Sequence, residues 1–326
     1  MCMFGKSFFM KEFKSVFSAT FLAIGVTTSS CSQSVTQNSS SVFEATTPCD
    51  EAVKTLLGIP EGTKSDMMKW NLAFYNDSKT SVPSSYKLIY TYGLAKQGTR
   101  GFVEGASTRK LKGKCTVGKG TSENTEAIVY TLYSDSSSVS LSFLKPNENI
   151  LHLLDGDRNL MIGNGAWSYT LNNTNPVKLS SNKFSSQKIK GSDISADSVV
   201  FDGRTPCYEP LLALNGSTMT DCQLIKCRLI LYQDVNTHEP TNFRLYTIHV
   251  GTGNTRYPTT GKWTVTQGTK SEPKAILYQL QPQSKKPLPP LVFLKGDDNI
   301  LFLLDNEMNF MAGNDYCGYT FNRIKK

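Results

Sequence analysis

The chain has 326 residues, 39% of them hydrophobic, which is more than one ordinary core organises, so two domains of somewhat over a hundred residues are expected. Its formal charge is +8, of which Lys6, Lys11 and Lys14 against Glu12 place +2 in the first thirty residues and leave +6 on the rest. The remaining cations are interspersed with acids along the chain, which argues against a nucleic-acid partner and for a solvated, mildly basic surface.

Residues 1–30 have the form of an export signal. Lys11 and Lys14 precede an apolar run from Val16 to Val26, and small residues Thr27 to Ser30 lead into Cys31. The run is shorter than the roughly 20 residues a permanent membrane helix needs. Small residues before a Cys, followed by the polar stretch Ser32 to Ser41, resemble the signal and lipobox of bacterial lipoproteins, with Cys31 as the lipid anchor. A plain signal peptide cleaved near Ser30 is the alternative, and either one takes the mature chain out of the cytosol. Residues 31–45 are then a flexible tether.

The remainder is a duplication. Phe143-Leu144-Lys145 through Tyr169-Thr170-Leu171-Asn172 recurs 150 positions later as Phe293-Leu294-Lys295 through Tyr319-Thr320-Phe321-Asn322. Thr47-Pro48-Cys49 matches Thr205-Pro206-Cys207, Lys69 to Asp77 matches Lys226 to Asp234, Tyr86-Lys87-Leu88 matches Phe243-Arg244-Leu245, and Gly113-Lys114-Cys115 matches Gly261-Lys262-Trp263. A period this long makes each copy a domain, 46–172 and 204–326. The intervening 173–203, rich in Ser, Lys, Asn and Asp, is a linker by composition.

Within a copy the expected elements are short strands separated by turn residues: 72–75, 86–92, 127–133, 139–144, 150–154 and 160–162. Asp50 to Leu57 is the one candidate helix, at a barrel mouth. Leu153 to Met161 and Leu303 to Met311 read as hairpins in which Asp-Gly or Asp-Asn supplies a positive φ. The fold class expected is all-β, two tandem small antiparallel meander barrels of lipocalin type, because closure removes exposed strand edges; a β-sandwich is the alternative.

The duplication also sorts the eight cysteines. Cys2 belongs to the signal and Cys31 to the anchor. Cys115, Cys227 and Cys317 stand where the other copy has Trp263, Trp70 and Trp167, which marks core positions. Cys207 and Cys222 close a short loop and are expected to be disulfide-bonded in an oxidising compartment. Ser65 takes the place of Cys222 in the first copy and leaves Cys49 without a partner.

With the Thr-Pro-Cys opening, the Gly-Lys-Trp263 strand start and the Leu-Leu-Asp hairpin, the chain resembles the NlpE N-terminal domain family of envelope lipoproteins, in a tandem form typical of Bacteroidetes. The resemblance implies lipocalin-like barrels attached to the outer membrane and associated with copper resistance and envelope-stress signalling. The family's Cys-x-x-Cys is absent, since Cys49-Asp50-Glu51-Ala52 and Cys207-Tyr208-Glu209-Pro210 lack the second Cys.

No catalytic or phosphate-binding motif is present. Cys222 with Cys227, Met67 with Met68, and Met308 with Met311 are the soft-metal candidates, none specific. His152 faces Phe302 of the other copy, His249 faces Tyr92, and His238 sits in a loop. Asp155 and Asp305 recur as turn residues, and Gly163-Asn164 and Gly313-Asn314 as a second turn before the last strand. The expected function is a non-catalytic binding or sensing module, without a cofactor, lipid-anchored in the membrane and engaging a small ligand, a metal or another envelope protein. The alternatives are an envelope glycan hydrolase acting through carboxylates such as Asp155 or Glu209, and a structural spacer.

Overall fold

The computed structural model describes residues 40–178, 187–188, 198–214, 216, 221–251, 253–268, 273–284 and 287–324. The signal 1–30, Cys31, the tether up to residue 39 and much of the linker lie outside the described residues.

The first copy is β1 (Ser41–Pro48), α1 (Glu51–Leu57), β2 (Met67–Asn76), β3 (Pro83–Gly93), β4 (Ser107–Lys119), β5 (Ile128–Ser134), β6 (Ser140–Leu144), β7 (Ile150–Leu154) and β8 (Thr170–Asn173). Each strand pairs antiparallel with the next, and β1 pairs with β8 through Phe43 opposite Asn173, so the meander closes into an eight-stranded barrel. After β9 (Gln187–Lys188), the second copy repeats the plan as β10 (Ser198–Thr205), α2 (Glu209–Ala213), β11 (Leu224–Gln233), β12 (Pro240–Val250), β13 (Arg256–Gln267), β14 (Ile276–Pro282), β15 (Leu291–Lys295), β16 (Ile300–Leu303) and β17 (Thr320–Arg323). Phe201 opposite Arg323 closes the second barrel, and the β-sandwich alternative falls. β1 begins inside the segment expected to be a tether, and most of β10 lies inside the expected linker.

Alternation fills the interiors, because successive strand residues point to opposite faces. In β3, Tyr86, Leu88, Tyr90 and Tyr92 point into the first barrel with Trp70, Phe74 and Phe143, while Lys87 points out. In the second, Phe201, Leu229, Phe243, Trp263, Phe293 and Phe321 do the same. The helix of the first copy starts where Asp50 accepts a bond from the Val53 amide and stops at Gly58, whose φ of 62° is left-handed. It lays Val53 and Leu57 on the core. The shorter α2 lays Leu211 and Leu212 on its own.

Three expectations need correction. Residues 160–162 form no strand; Leu160 makes only an isolated bridge to Leu154. In the two hairpins the positive φ falls on Arg158 and Met308, both at 64°, not on Gly156 or Asn306. There Asp155 and Asp305 each accept two backbone N–H bonds within their own turn, which sets the loop without needing a glycine. Gly261 is mid-strand and does not start one: the backbone of β13 passes so close to β14 that a Cβ there would lie 2.0 Å from the Gln281 carbonyl oxygen.

Candidate functional site

The Trp-for-Cys exchanges are packing exchanges at two of three positions. Cys115, Trp263, Cys227 and Trp70 are all buried in their barrel cores, and burial pushes the Cys115 thiol up to about 12. Cys317 and Trp167 lie instead between the barrels, in a small cluster with Leu224 and Tyr316. Cys207 and Cys222 are disulfide-bonded with Cα atoms 6.1 Å apart, tying the start of α2 to the start of β11. At the corresponding place in the first barrel the Cys49 thiol lies 3.1 Å from the Ser65 hydroxyl.

The residues repeated most closely between the copies meet at a seam. Asn172 of β8 accepts the Gly313 amide at 2.7 Å and donates to the Asn314 carbonyl at 2.9 Å. Asn322 of β17 accepts the Gly163 amide at 2.8 Å and donates to the Asn164 carbonyl at 3.2 Å. The arrangement is reciprocal, as in a two-fold dimer contact, here within one chain. Gly163 and Gly313 are required because a Cβ at either would sit 2.1 Å from the carbonyl oxygen of Trp167 or Cys317. The expected turns exist, with Asn164 and Asn314 each accepting two amides, but docking onto the other barrel is their second task.

An apolar cluster backs the seam: Val129, Ile150, Leu154 and Leu160 against Leu277, Val292, Leu294, Ile300, Phe302 and Leu304. It explains why β7 and β16 are unbroken runs of buried residues. One face points into its barrel and the other into the partner barrel.

His152 lies at this seam, fully buried, its ring 5.6 Å edge-on from Phe302. Its Nε2 is 3.0 Å from the Met161 carbonyl oxygen and its Nδ1 2.9 Å from the Thr170 hydroxyl, which is itself 2.8 Å from the Thr320 hydroxyl. Desolvation lowers the ring's pKa from 6.5 to about 4, so it is neutral near pH 7. Since the carbonyl only accepts, Nε2 carries the proton and Nδ1 accepts from Thr170; Thr320 then donates to Thr170. That chain is consumed within the structure. His238 takes the left-handed turn position that Ser81 takes in the first copy, with φ of 56° and 57°, and His249 packs 5.0 Å from Tyr257.

The clefts open to solvent among the described residues include two large ones. One, about 490 Å³, gathers Asp50, Glu123, Asp155, Asp297 and Asp298, with Asn159 and Met161. Asp50, Asp155 and Asp297 each already accept backbone amides there, and burial holds the Asp297 carboxyl above its usual range. Glu209, exposed on α2, does not line this cleft with Asp155. The other cleft, about 710 Å³, lies on the second barrel between Tyr232, Arg244, Thr260, Lys262, Gln281 and Pro282.

The described residues do not fit a soft-metal centre. Cys222 is in the disulfide and Cys227 is buried with its thiol pushed far up by desolvation. Met67 and Met68 belong to the first barrel, while Met308 packs in the apolar cluster at the seam and Met311 against the core of the second barrel. Among the described residues no group of three or more His, Cys, Asp or Glu could hold a metal ion. No described helix is long and apolar enough to cross a membrane. No family model, no curated protein and no solved structure matches the chain.

Proposed function

We propose that the chain is a lipid-anchored cell-envelope protein, held through Cys31, that binds a partner with its outer surface and catalyses no reaction. The 710 Å³ cleft on the second barrel carries this reading, because it presents Arg244, Lys262, Tyr232 and Gln281 to solvent while both barrel interiors are filled with side chains. Of the polar groups that a catalytic reading would use, Asp155, Asp305 and His152 spend hydrogen bonds on turns and the seam, which supports it too. Envelope-stress sensing rests on the likeness to the NlpE N-terminal domain family. Among the described residues the copper role of that family finds no donor set.

The test is a pair of measurements on the intact chain expressed in its envelope. Blocking lipoprotein signal peptidase, or the substitution Cys31→Ser, is expected to move the protein out of the membrane fraction. Native mass spectrometry of the purified chain is expected to show a non-covalent mass that Arg244→Ala diminishes. A chain that stays membrane-bound without Cys31, or carries no partner from any envelope extract, removes the reading. The spacer alternative draws on the seam, which joins the two barrels along one apolar cluster.

A further inference from the structure

Strand register brings Lys69 and Lys87 beside the basic run Lys110, Lys112 and Lys114. On the outer face of β2, β3 and β4, Lys69, Lys87, Lys110, Lys112 and Lys114 share one surface; all but the half-buried Lys69 are exposed. Among the described residues none of the five makes an ion pair. Lys87 stands directly opposite Lys112 across the ladder, a like-charge pairing that destabilises a sheet. Folding alone has no use for it.

The second barrel keeps three of the five positions, with Pro258 and Thr260 where the first has Lys110 and Lys112. Lys226, Arg244 and Lys262 occupy the strand positions of Lys69, Lys87 and Lys114, and Arg244 and Lys262 line the 710 Å³ cleft. Arg256 adds a guanidinium 3.6 Å over the Tyr246 ring. Asp202 neutralises Arg228 beside it, Glu44 on β1 is bonded to Asn71, and Asp135 lies at the Gly113 end of the first face, where its amide is bonded to the Lys112 carbonyl.

We infer that these two faces are equivalent binding sites for a linear anionic glycan, one bearing regularly spaced carboxylate, sulfate or phosphate groups. The inference rests on the binding reading above and gives its partner a chemistry. Alternate residues on a strand lie about 7 Å apart and neighbouring strands about 5 Å apart, so each face offers a row of cations to an extended chain. The topology disfavours a flat anionic membrane. In a closed eight-stranded barrel β3 is four strands round from β7, and β12 four round from β16; as β7 and β16 form the seam, the basic faces point away from it at opposite flanks. One plane meets one face at a time, whereas a flexible chain reaches either. On the first face outward tyrosines stand only at the Lys114 end, as Tyr75 and Tyr133, and the other outward neighbours are Ile89 and Thr91.

The experiment is titration calorimetry of the intact detergent-solubilised chain with a heparin oligosaccharide, at low and high salt. Dextran, duplex DNA and vesicles containing phosphatidylglycerol serve as comparators. Two sites per chain are expected, both weakened by salt. Lys110→Glu with Lys112→Glu, and separately Arg244→Glu with Lys262→Glu, should each weaken one site by roughly tenfold and leave the other intact. Misfolding does not confuse the first variant, because Lys112→Glu turns a repulsive pair with Lys87 into an attractive one, and unfolding measured in parallel should be unchanged or later. Tighter binding to vesicles or DNA than to heparin overturns the inference, as does heparin binding that ignores both variants. Binding of dextran alone overturns it while sparing the binding reading, and silence from every probe counts against both.

Discussion

The two barrels share one plan and differ in how each is stapled, which separates what the fold requires from what each copy adds. At the helix entrance the second barrel has a covalent bond between Cys207 and Cys222 where the first has only the contact of the Cys49 thiol with the Ser65 hydroxyl. The first compensates with a longer, capped α1 of seven residues against five in α2, and with the Asp50 cap that Tyr208 does not supply. At the seam the first barrel contributes the polar His152 and the second the apolar Phe302. A closed meander therefore tolerates either staple and either ring, provided the interior volume and the reciprocal Asn contacts are kept.

The comparison can be broken most severely at the disulfide. Cys207→Ser with Cys222→Ser should cost the second barrel about 3 kcal/mol, from the loop entropy returned to the unfolded chain. In calorimetry this should appear as an earlier transition, with reductant reproducing it in the parent chain. Equal stability with and without reductant would show that α2 needs no staple.

Acid should reach a similar size through His152. The unfolded ring binds its proton near pH 6.5 and the folded ring near 4, so between these values the unfolded state holds more protons. Stability is then complete above pH 6.5 and falls by about 1.4 kcal/mol per pH unit on the way down to about 4. His152→Phe, which copies the second barrel, should flatten that slope in urea titrations across the window. An unchanged slope would assign the acid sensitivity elsewhere.

A smaller loss is expected from Asn172→Ala, which strands the Gly313 amide and the Asn314 carbonyl, costing about 2 kcal/mol. Asn322→Ala should match it, since the contact is reciprocal. Hydrogen exchange at Gly163 and Gly313 gives the readout. The smallest effect is a gain: Ser65→Cys should form a disulfide with Cys49 and raise the first barrel's stability by about 1 kcal/mol, less than the loop entropy allows because engineered bridges carry strain. Free thiols at both positions under oxidising conditions would break the equivalence.

Much of this was legible in the sequence because it is written locally. The alternation of Tyr86, Leu88, Tyr90 and Tyr92 names a strand with one wet face, and Asp155 and Asp305 name turns through their own side-chain geometry. The helix 51–57 falls within the expected stretch Asp50 to Leu57. Other features were misplaced for equally physical reasons. The run Ile150 to Leu154 reads as a strand, but periodicity does not say that its second face is covered by another barrel. Gly163-Asn164 reads as a turn and conceals a docking element, because the residue it docks on, Asn322, lies 158 positions away.

By itself, then, the amino-acid sequence determined that the chain is all-β, duplicated, cross-linked at Cys207 and Cys222, and packed with aromatic residues at alternating positions, since strand period, turn chemistry and repeat spacing act over a few residues. Tertiary structure decided the closure of each sheet, the reciprocal seam, the burial of His152 and the gathering of Lys69, Lys87, Lys112 and Lys114 onto one face. These depend on register between strands distant in sequence, and register is set only when every strand's apolar face has found the same core.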